Sequence, residues 1–544
     1  MLRMIADEGR WAVRRLPLAL ALSLAAAAPA PSTYAADSTA APPSVAISVD
    51  ESKSGPKIDR NVFGQFAEHL GHGIYEGIWV GPDSPIPNTR GIRNDVVAAL
   101  KALKVPNVRW PGGCFADEYH WRTGVGRRSV TLNPNWGGVT EPNTFGTHEF
   151  MDFLDQIGSR AYLSINVGSG TAKEAADWLE YMTADQPTTL AQERAANGRA
   201  AAWEVPYLGI GNESWDCGGN MTPEYYLSQL RIYSRFVRNY NPAQQPQAKR
   251  MLKIAVGPGG DGPRWNEWTD TIMKAWQGHS WSWDIDGLSM HSYTVVKWPP
   301  SYKSAGFDET EYGEILKSTL EMNRIIDTNA AIMDRYDPER KIGLVVDEWG
   351  AWYAPLPGSN PGFLVQQNSL RDAVLAALNL NIFARHADRV RGANIAQMVN
   401  VLQAMILTDK EKMVLTPTYH VFKMYVPFQD ATVVPIAFDA GSYTHGPVTL
   451  PRVDAIAAKD TSGRLWLAVT NLDPNRPLTL EASLPGVTPR SAAGQTLTAP
   501  RVDSINTFDA PDMVAPKPIT AKVRGSMLAL TVAPKSVTVI SVEQ

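Results

Sequence analysis

The sequence predicts an α/β protein: a (β/α)8 TIM barrel followed by a C-terminal β-sandwich of jelly-roll type. Three observations predict it. Eight short apolar runs end in Gly, Asn or a carboxylate, segments with helical spacing separate them, and after about Tyr425 the helices give way to short strands. Strands that read as apolar runs suit a parallel sheet buried on both faces, and alternation with helices marks βα units. Eight such units over roughly 340 residues fit a closed barrel with long loops. A doubly wound sheet would have fewer strands and a Gly-rich nucleotide turn near its start. No such turn is found.

Taken in order, residues 1–36 read as a secretory signal peptide. Arg10, Arg14 and Arg15 precede the apolar run Leu16 to Ala28, and an Ala/Pro/Ser-rich exit follows. The run is shorter than the ~20 residues of a membrane helix. This predicts an exported protein, periplasmic or extracellular, free of the membrane after cleavage. Residues 37–58 read as a linker whose alternating Val45, Ile47 and Val49 form a strand that joins the sandwich.

The barrel is expected over residues 59–428. Its runs are Asn61–Phe66, Asn107–Pro111, Ala161–Asn166, Pro206–Gly211, Leu252–Gly257, Ile285–Met290, Ile342–Val346 and Ala393–Met398. Helical spacing covers Asn94–Leu103, Glu149–Gly158, Glu174–Tyr181, Glu224–Arg238 and Ser369–His386. The sandwich is expected over 429–544, from the runs Arg464–Thr470, Leu478–Leu484, Met527–Val532 and Ser536–Val542 between Pro, Gly and Asn/Asp turns. Its strands carry no evident cluster of exposed aromatics, so packing fits them better than carbohydrate capture.

Composition narrows the function. Hydrophobic residues are 44% and charged residues 19% of 544, which excludes a wholly disordered chain. The net charge of −4 and the absence of a long basic run argue against a nucleic-acid partner. The two cysteines, Cys114 and Cys217, cannot build a Cys-rich zinc site, and the nine histidines show no H-E-x-x-H spacing. No metal or cofactor is expected. A single disulfide and two unpaired small residues both remain open.

In a barrel of this kind, reactive groups lie at the C-terminal ends of the strands. The fourth run ends Gly-Ile-Gly-Asn212-Glu213, and the seventh leads into Asp347-Glu348-Trp349. Each alone also fits an ordinary helix cap with a first-turn acid. Together they place two carboxylates at one mouth, the apparatus of glycoside hydrolysis. Other strand ends are polar too: Glu68-His69 after the first, Arg109-Trp-Pro-Gly-Gly-Cys114 at the second, Asn166 at the third, His291-Ser-Tyr293 at the sixth, and Gln397 and Asn400 at the eighth. A ring of amides, a phenol and a carboxylate suits a ligand with many hydroxyls. For His69 and His291, hydrogen bonding behind the site is favoured over metal binding.

These segments together resemble the α-L-arabinofuranosidases of glycoside hydrolase family 51. The similar stretches are Phe63–Gly71, Arg109–Gly113, Leu208–Glu213, Met290–Tyr293, Asp347–Trp349 and Ala396–Asn400. The resemblance implies a retaining, exo-acting glycosidase that releases terminal arabinofuranose from arabinan, arabinoxylan or arabino-oligosaccharides, with Glu213 as acid/base and Glu348 as nucleophile. It implies that Glu68, Asn212, Tyr293 and Gln397 hold the sugar ring, that Trp136 and Trp352 line its pocket, and that Arg109 and His291 support the carboxylates from behind. Homo-oligomers are common among members. Related barrel glycosidases act on xylosides or β-glucans, which is the alternative reading. One departure stands out: many members have Asn where this chain has Cys114, also taken as a substrate contact. A Cys114–Cys217 bridge bracing the rim is the corresponding hypothesis, and the insertion Val295 to Tyr312 is expected to shape the leaving-group side.

Overall fold

The structure, a computed structural model, describes residues 42–544 apart from Ala248. The signal-peptide reading of residues 1–36 lies outside the described residues. Eight parallel strands close into a barrel: β1 (Gly64–Phe66), β2 (Asn107–Trp110), β3 (Arg160–Ile165), β4 (Tyr207–Ile210), β5 (Leu252–Ala255), β6 (Gly287–Thr294), β7 (Gly343–Ala351) and β8 (Val390–Ile395). β8 pairs back onto β1, Asn394 opposite Gly64. No edge is left free.

Nine α-helices occur among the described residues: α1 (Asn94–Leu103), α2 (Thr147–Ile157), α3 (Ala172–Thr183), α4 (Thr189–Ala196), α5 (Pro223–Phe236), α6 (Pro263–Gln277), α7 (Glu309–Tyr336), α8 (Leu370–Arg385) and α9 (Pro417–Met424). Thr171, Thr188, Thr222, Asp308 and Thr416 cap α3, α4, α5, α7 and α9 by accepting a backbone N–H from the first turn. None of the described helices is long and apolar enough to cross a membrane.

Local signals explain where the sequence reading differs. The first run begins as a 3-10 turn, Arg60–Phe63, because the Asp59 side chain caps it by accepting from Asn61 N, and the strand starts only at Gly64. β6 and β7 run beyond their apolar stretches, to Thr294 and Ala351. The insertion is shorter than expected. It ends at Asp308, and Tyr312 is a buried residue of α7 whose hydroxyl donates to Leu472 O at 3.0 Å.

Two sheets follow the barrel, one of five strands and one of six. The strand Ser44–Val49 belongs to the first: it runs parallel to Leu478–Ser483 and antiparallel to Ile436–Phe438. Val45, Ile47 and Val49 face one core with Leu467, Val469, Leu480 and Ile540, drawn from both sheets, so these form a sandwich. α8 is held to it by Asn381 and Arg385, which donate to Asp454 at 2.9 and 2.8 Å.

Candidate active site

The carboxylates gather at the C-terminal ends of the strands. Beyond β4 the chain turns through Gly211 at φ 89° and Glu213 at φ 38°. Left-handed backbone at a glutamate costs on the order of 1–3 kcal/mol. The turn is held by Asp216 N and Gly218 N, which donate to Glu213 O at 2.7 and 3.1 Å. Glu348 lies inside β7, where a register shift in the β6–β7 pairing sets it opposite His291.

His291 joins the two. Its Nδ1 lies 2.8 Å from Glu213 Oε1 and 3.5 Å from Glu348 Oε1, and its Nε2 lies 3.2 Å from Asp347 Oδ1. One ligand atom each from Glu213, His291 and Glu348 fall within 4.8 Å of one another. Carboxylate oxygens within that reach suit a retaining pair, whose carboxyl groups stand ~5–5.5 Å apart, better than an inverting pair at ~6.5–9.5 Å. Arg109 Nη1 donates to Glu348 Oε1 at 2.7 Å, and the Tyr293 hydroxyl donates to Oε2 at 2.8 Å. Arg109 Nη2 reaches Asn212 Oδ1 at 2.5 Å. Asp347 in turn accepts from the Tyr162 hydroxyl at 2.7 Å.

The electrostatics divide the roles. Burial raises the Glu213 pKa, and the Glu348 charge adds to this against the opposing His291 bond. Burial alone would lower His291, but the charges of Glu348 and Asp347 push it up to about 10, so it is a cation at neutral pH. Burial is likewise outweighed at Asp347, which Arg109 and His291 hold below the ordinary aspartate value.

Glu68 sits beside the pair. Its Oε1 accepts from Gly113 N, Phe115 N and Trp136 Nε1 at 3.0, 3.0 and 2.9 Å, and its Oε2 accepts from Gln397 Nε2 at 2.9 Å. Burial, with the nearby Glu348 charge, raises it to about 7. The glycines after β2 admit these acids: a Cβ on Gly112 would lie 2.6 Å from Glu68 Cγ, and one on Gly113 3.0 Å from Glu348 Oε1. Gln397 Oε1 is buried without a partner among the described residues. Trp352 packs edge-on against Tyr293, with ring centroids 5.0 Å apart, and against Trp298 at 5.3 Å.

Cys114 and Cys217 are disulfide-bonded, with Cα atoms 5.5 Å apart. The bridge ties the segment after β2 to the one after β4, and Cys217 Sγ lies 3.6 Å from Glu213 Oε2. Two expected ring amides are used elsewhere. Asn166 Oδ1 accepts from Ser169 N and Gly170 N in its own turn, and Asn400 donates to His72 O and Thr408. His69 lies 3.1 Å from Glu141, away from the pair. Sequence reasoning missed Asp117, which accepts from Val167 N, Gly168 N and Asn212 N at 2.7, 2.7 and 3.0 Å and so aligns the ends of β3 and β4. It also missed Tyr162 beneath Asp347. Neither belongs to a readable motif.

Comparison with known proteins bears on all of this. Residues 99–295 match the family described as "Alpha-L-arabinofuranosidase 1 domain", and residues 347–536 match "Alpha-L-arabinofuranosidase C-terminal domain". A Bacteroides ovatus protein named "Intracellular exo-alpha-L-arabinofuranosidase" is 43% identical, covering 94% of this chain and 98% of its own. The crystal structure of the GH51 arabinofuranosidase from Xanthomonas axonopodis pv. citri superposes with a TM-score of 0.88 at 51% identity, over 92% of this chain and 100% of the other. A Thermotoga maritima α-L-arabinofuranosidase in complex with arabinose gives 0.80 at 30%, with the same coverage. The expectation of export is corrected here, since the Bacteroides relative, aligned over nearly the whole chain, carries an intracellular name. Arginines before a short apolar run are a compositional cue that does not fix an address. With both matched segments in family order and this identity over almost its full length, the chain belongs to the α-L-arabinofuranosidases of glycoside hydrolase family 51, which are glycoside hydrolases.

Proposed function

We propose that the enzyme removes terminal α-L-arabinofuranose from arabinose-containing glycans by double displacement, with Glu348 as nucleophile and Glu213 as acid/base. The observation that carries this reading is the placement of both carboxylates about one histidine, within 4.8 Å. Arg109 and Tyr293 each donate to one oxygen of Glu348 and so aim it. Glu213, with its raised pKa, keeps a proton for the leaving oxygen.

Glu348 attacks the anomeric carbon while Glu213 protonates the departing oxygen, so the glycosidic bond breaks as a glycosyl ester forms. Glu213, now ionised, takes a proton from water. That water cleaves the ester, frees arabinose with retained configuration and restores Glu348. Glu68, the partnerless Gln397 Oε1 and the Asn212 amide suit the ring hydroxyls. The enclosed acids favour a chain end, hence exo-action, and Trp136 and Trp352 wall the ring. Trp298, 67% exposed at the rim against Trp352, suits the aglycone.

Proton NMR of an aryl arabinofuranoside digest should detect the retained anomer first; an inverted first product would overturn the mechanism. Glu348→Ala should lose at least ~10³-fold in kcat, with azide restoring an inverted glycosyl azide. Glu213→Ala should spare aryl substrates with good leaving groups far more than polymeric ones. Equal losses on both would remove Glu213 from its role.

A further inference from the structure

At the N-terminal ends of the strands, opposite the catalytic mouth, lies a cavity of about 460 Å³. That is within the ~300–1,000 Å³ of small-molecule sites. Gly287, Gly343 and Gly392 line it, and a Cβ on Gly287 or Gly392 would crowd Val345 on its wall at 3.2 and 3.1 Å. Tyr162, Ile254 and Val345, with Tyr207, form a small apolar cluster on its wall, separate from the main core.

The polar groups run in one direction. Asn394 Nδ2 donates to Asn107 Oδ1 at 2.8 Å, Asn107 Nδ2 to Asn61 Oδ1 at 2.9 Å, and Asn61 Nδ2 to the Tyr207 hydroxyl at 2.8 Å. A directed chain leaves an acceptor unmatched at its head and a donor at its tail. Among the described residues nothing donates to Asn394 Oδ1, although the residue is 1% exposed, and the Tyr207 hydroxyl donates to nothing. Arg250 Nε, also on the wall, is buried without a partner. The charges on the wall balance in number, Arg250, Lys341 and Arg391 against Asp59, Asp284 and Asp286. Arg250 pairs with Asp286, Lys341 with Glu339, Arg391 donates to main-chain carbonyls, and Asp59 accepts from Asn61.

We propose that this cavity is a second ligand site, for an uncharged polyol of monosaccharide size. A wall with no net charge disfavours an ion. A free acceptor and free donors suit hydroxyls, each of which gives and takes a hydrogen bond. The two tyrosine rings and Ile254 suit the apolar C–H face of a sugar. The site does not rest on the catalytic assignment: of its lining only Tyr162 reaches toward the mouth, through its hydroxyl bond to Asp347.

The test is saturation-transfer NMR on the full-length enzyme with L-arabinose, D-xylose and glycerol as probes, the catalytic pocket first saturated with a five-membered iminosugar. Transfer to at least one of the two pentoses should persist. It should weaken severalfold in Ile254→Trp, which narrows the cavity with a longer ring, and severalfold in Tyr207→Phe, which removes only the donor and keeps the ring should the bulkier variant misfold. Both variants should keep their turnover of an aryl arabinofuranoside. Loss of pentose signal once the iminosugar is bound, binding of glycerol alone, or signals unchanged in both variants would overturn the proposal.

Discussion

His291 is the group through which Glu213 and Glu348 sense each other. It stays cationic well past neutral pH, and its bond lowers the Glu213 pKa against the rise from burial. His291→Gln keeps a donor but removes the charge. Glu213 should then hold its proton to higher pH, and the basic limb of kcat/KM should move upward. A limb that stays or falls would dissociate His291 from the acid. Glu68 gives a second prediction. With a folded pKa of about 7 against 4.5 when unfolded, the native state binds the extra proton between these values, so stability falls as pH rises across that window and is flat above it. Glu68→Gln should remove roughly 2–3 kcal/mol of the stability difference between pH 5 and pH 8, measured by urea unfolding at those two values. The part of the slope due to Asp117, also raised to about 7 by burial, should remain. At this scale Glu213 and Glu348 were legible, because counting strands puts them at one mouth. Asp117, Asp347 and Tyr162 were not legible in role, since an acid or phenol that bonds across the barrel leaves no local pattern.

The elements that carry the mouth are irregular where they matter. The segments after β2 and β4 are strapped by the Cys114–Cys217 bridge, 103 residues apart in sequence. Cys217→Ser should cost about 2–4 kcal/mol in denaturant unfolding and raise KM as the rim loosens around Glu213. An unchanged midpoint would mean that the loops are held without it. α1 was legible to its ends because its apolar positions Val96, Leu100 and Leu103 form one stripe. α6 and α7 were passed over: their buried positions are spread thinly among charged and aromatic ones, as on helices that each bury a narrow stripe.

The whole molecule is a closed barrel joined through α8 to a β-sandwich whose two sheets share their own core. Removing residues 42–50 takes Val45, Ile47 and Val49 out of the sandwich core and exposes the edge of Leu478–Ser483. A melting temperature lower by several degrees, with faster proteolysis after residue 430, is the expected result. An unchanged melt would mean that the strand is ornamental. The closed barrel was legible because buried parallel strands read as apolar runs. Half the sandwich was not: strands such as Ser491–Leu497 and Lys517–Thr520 alternate weakly and are named only by their partners.

The pairing of Ser44–Val49 with Leu478–Ser483 also sets a clock. The ribosome makes the first partner some 430 residues before the second, and at ~5–20 residues per second the delay is roughly 20–90 s. Throughout that interval the opening strand has an unsatisfied edge and three exposed aliphatic side chains, and the nascent chain must keep it from pairing with a neighbour on the same messenger.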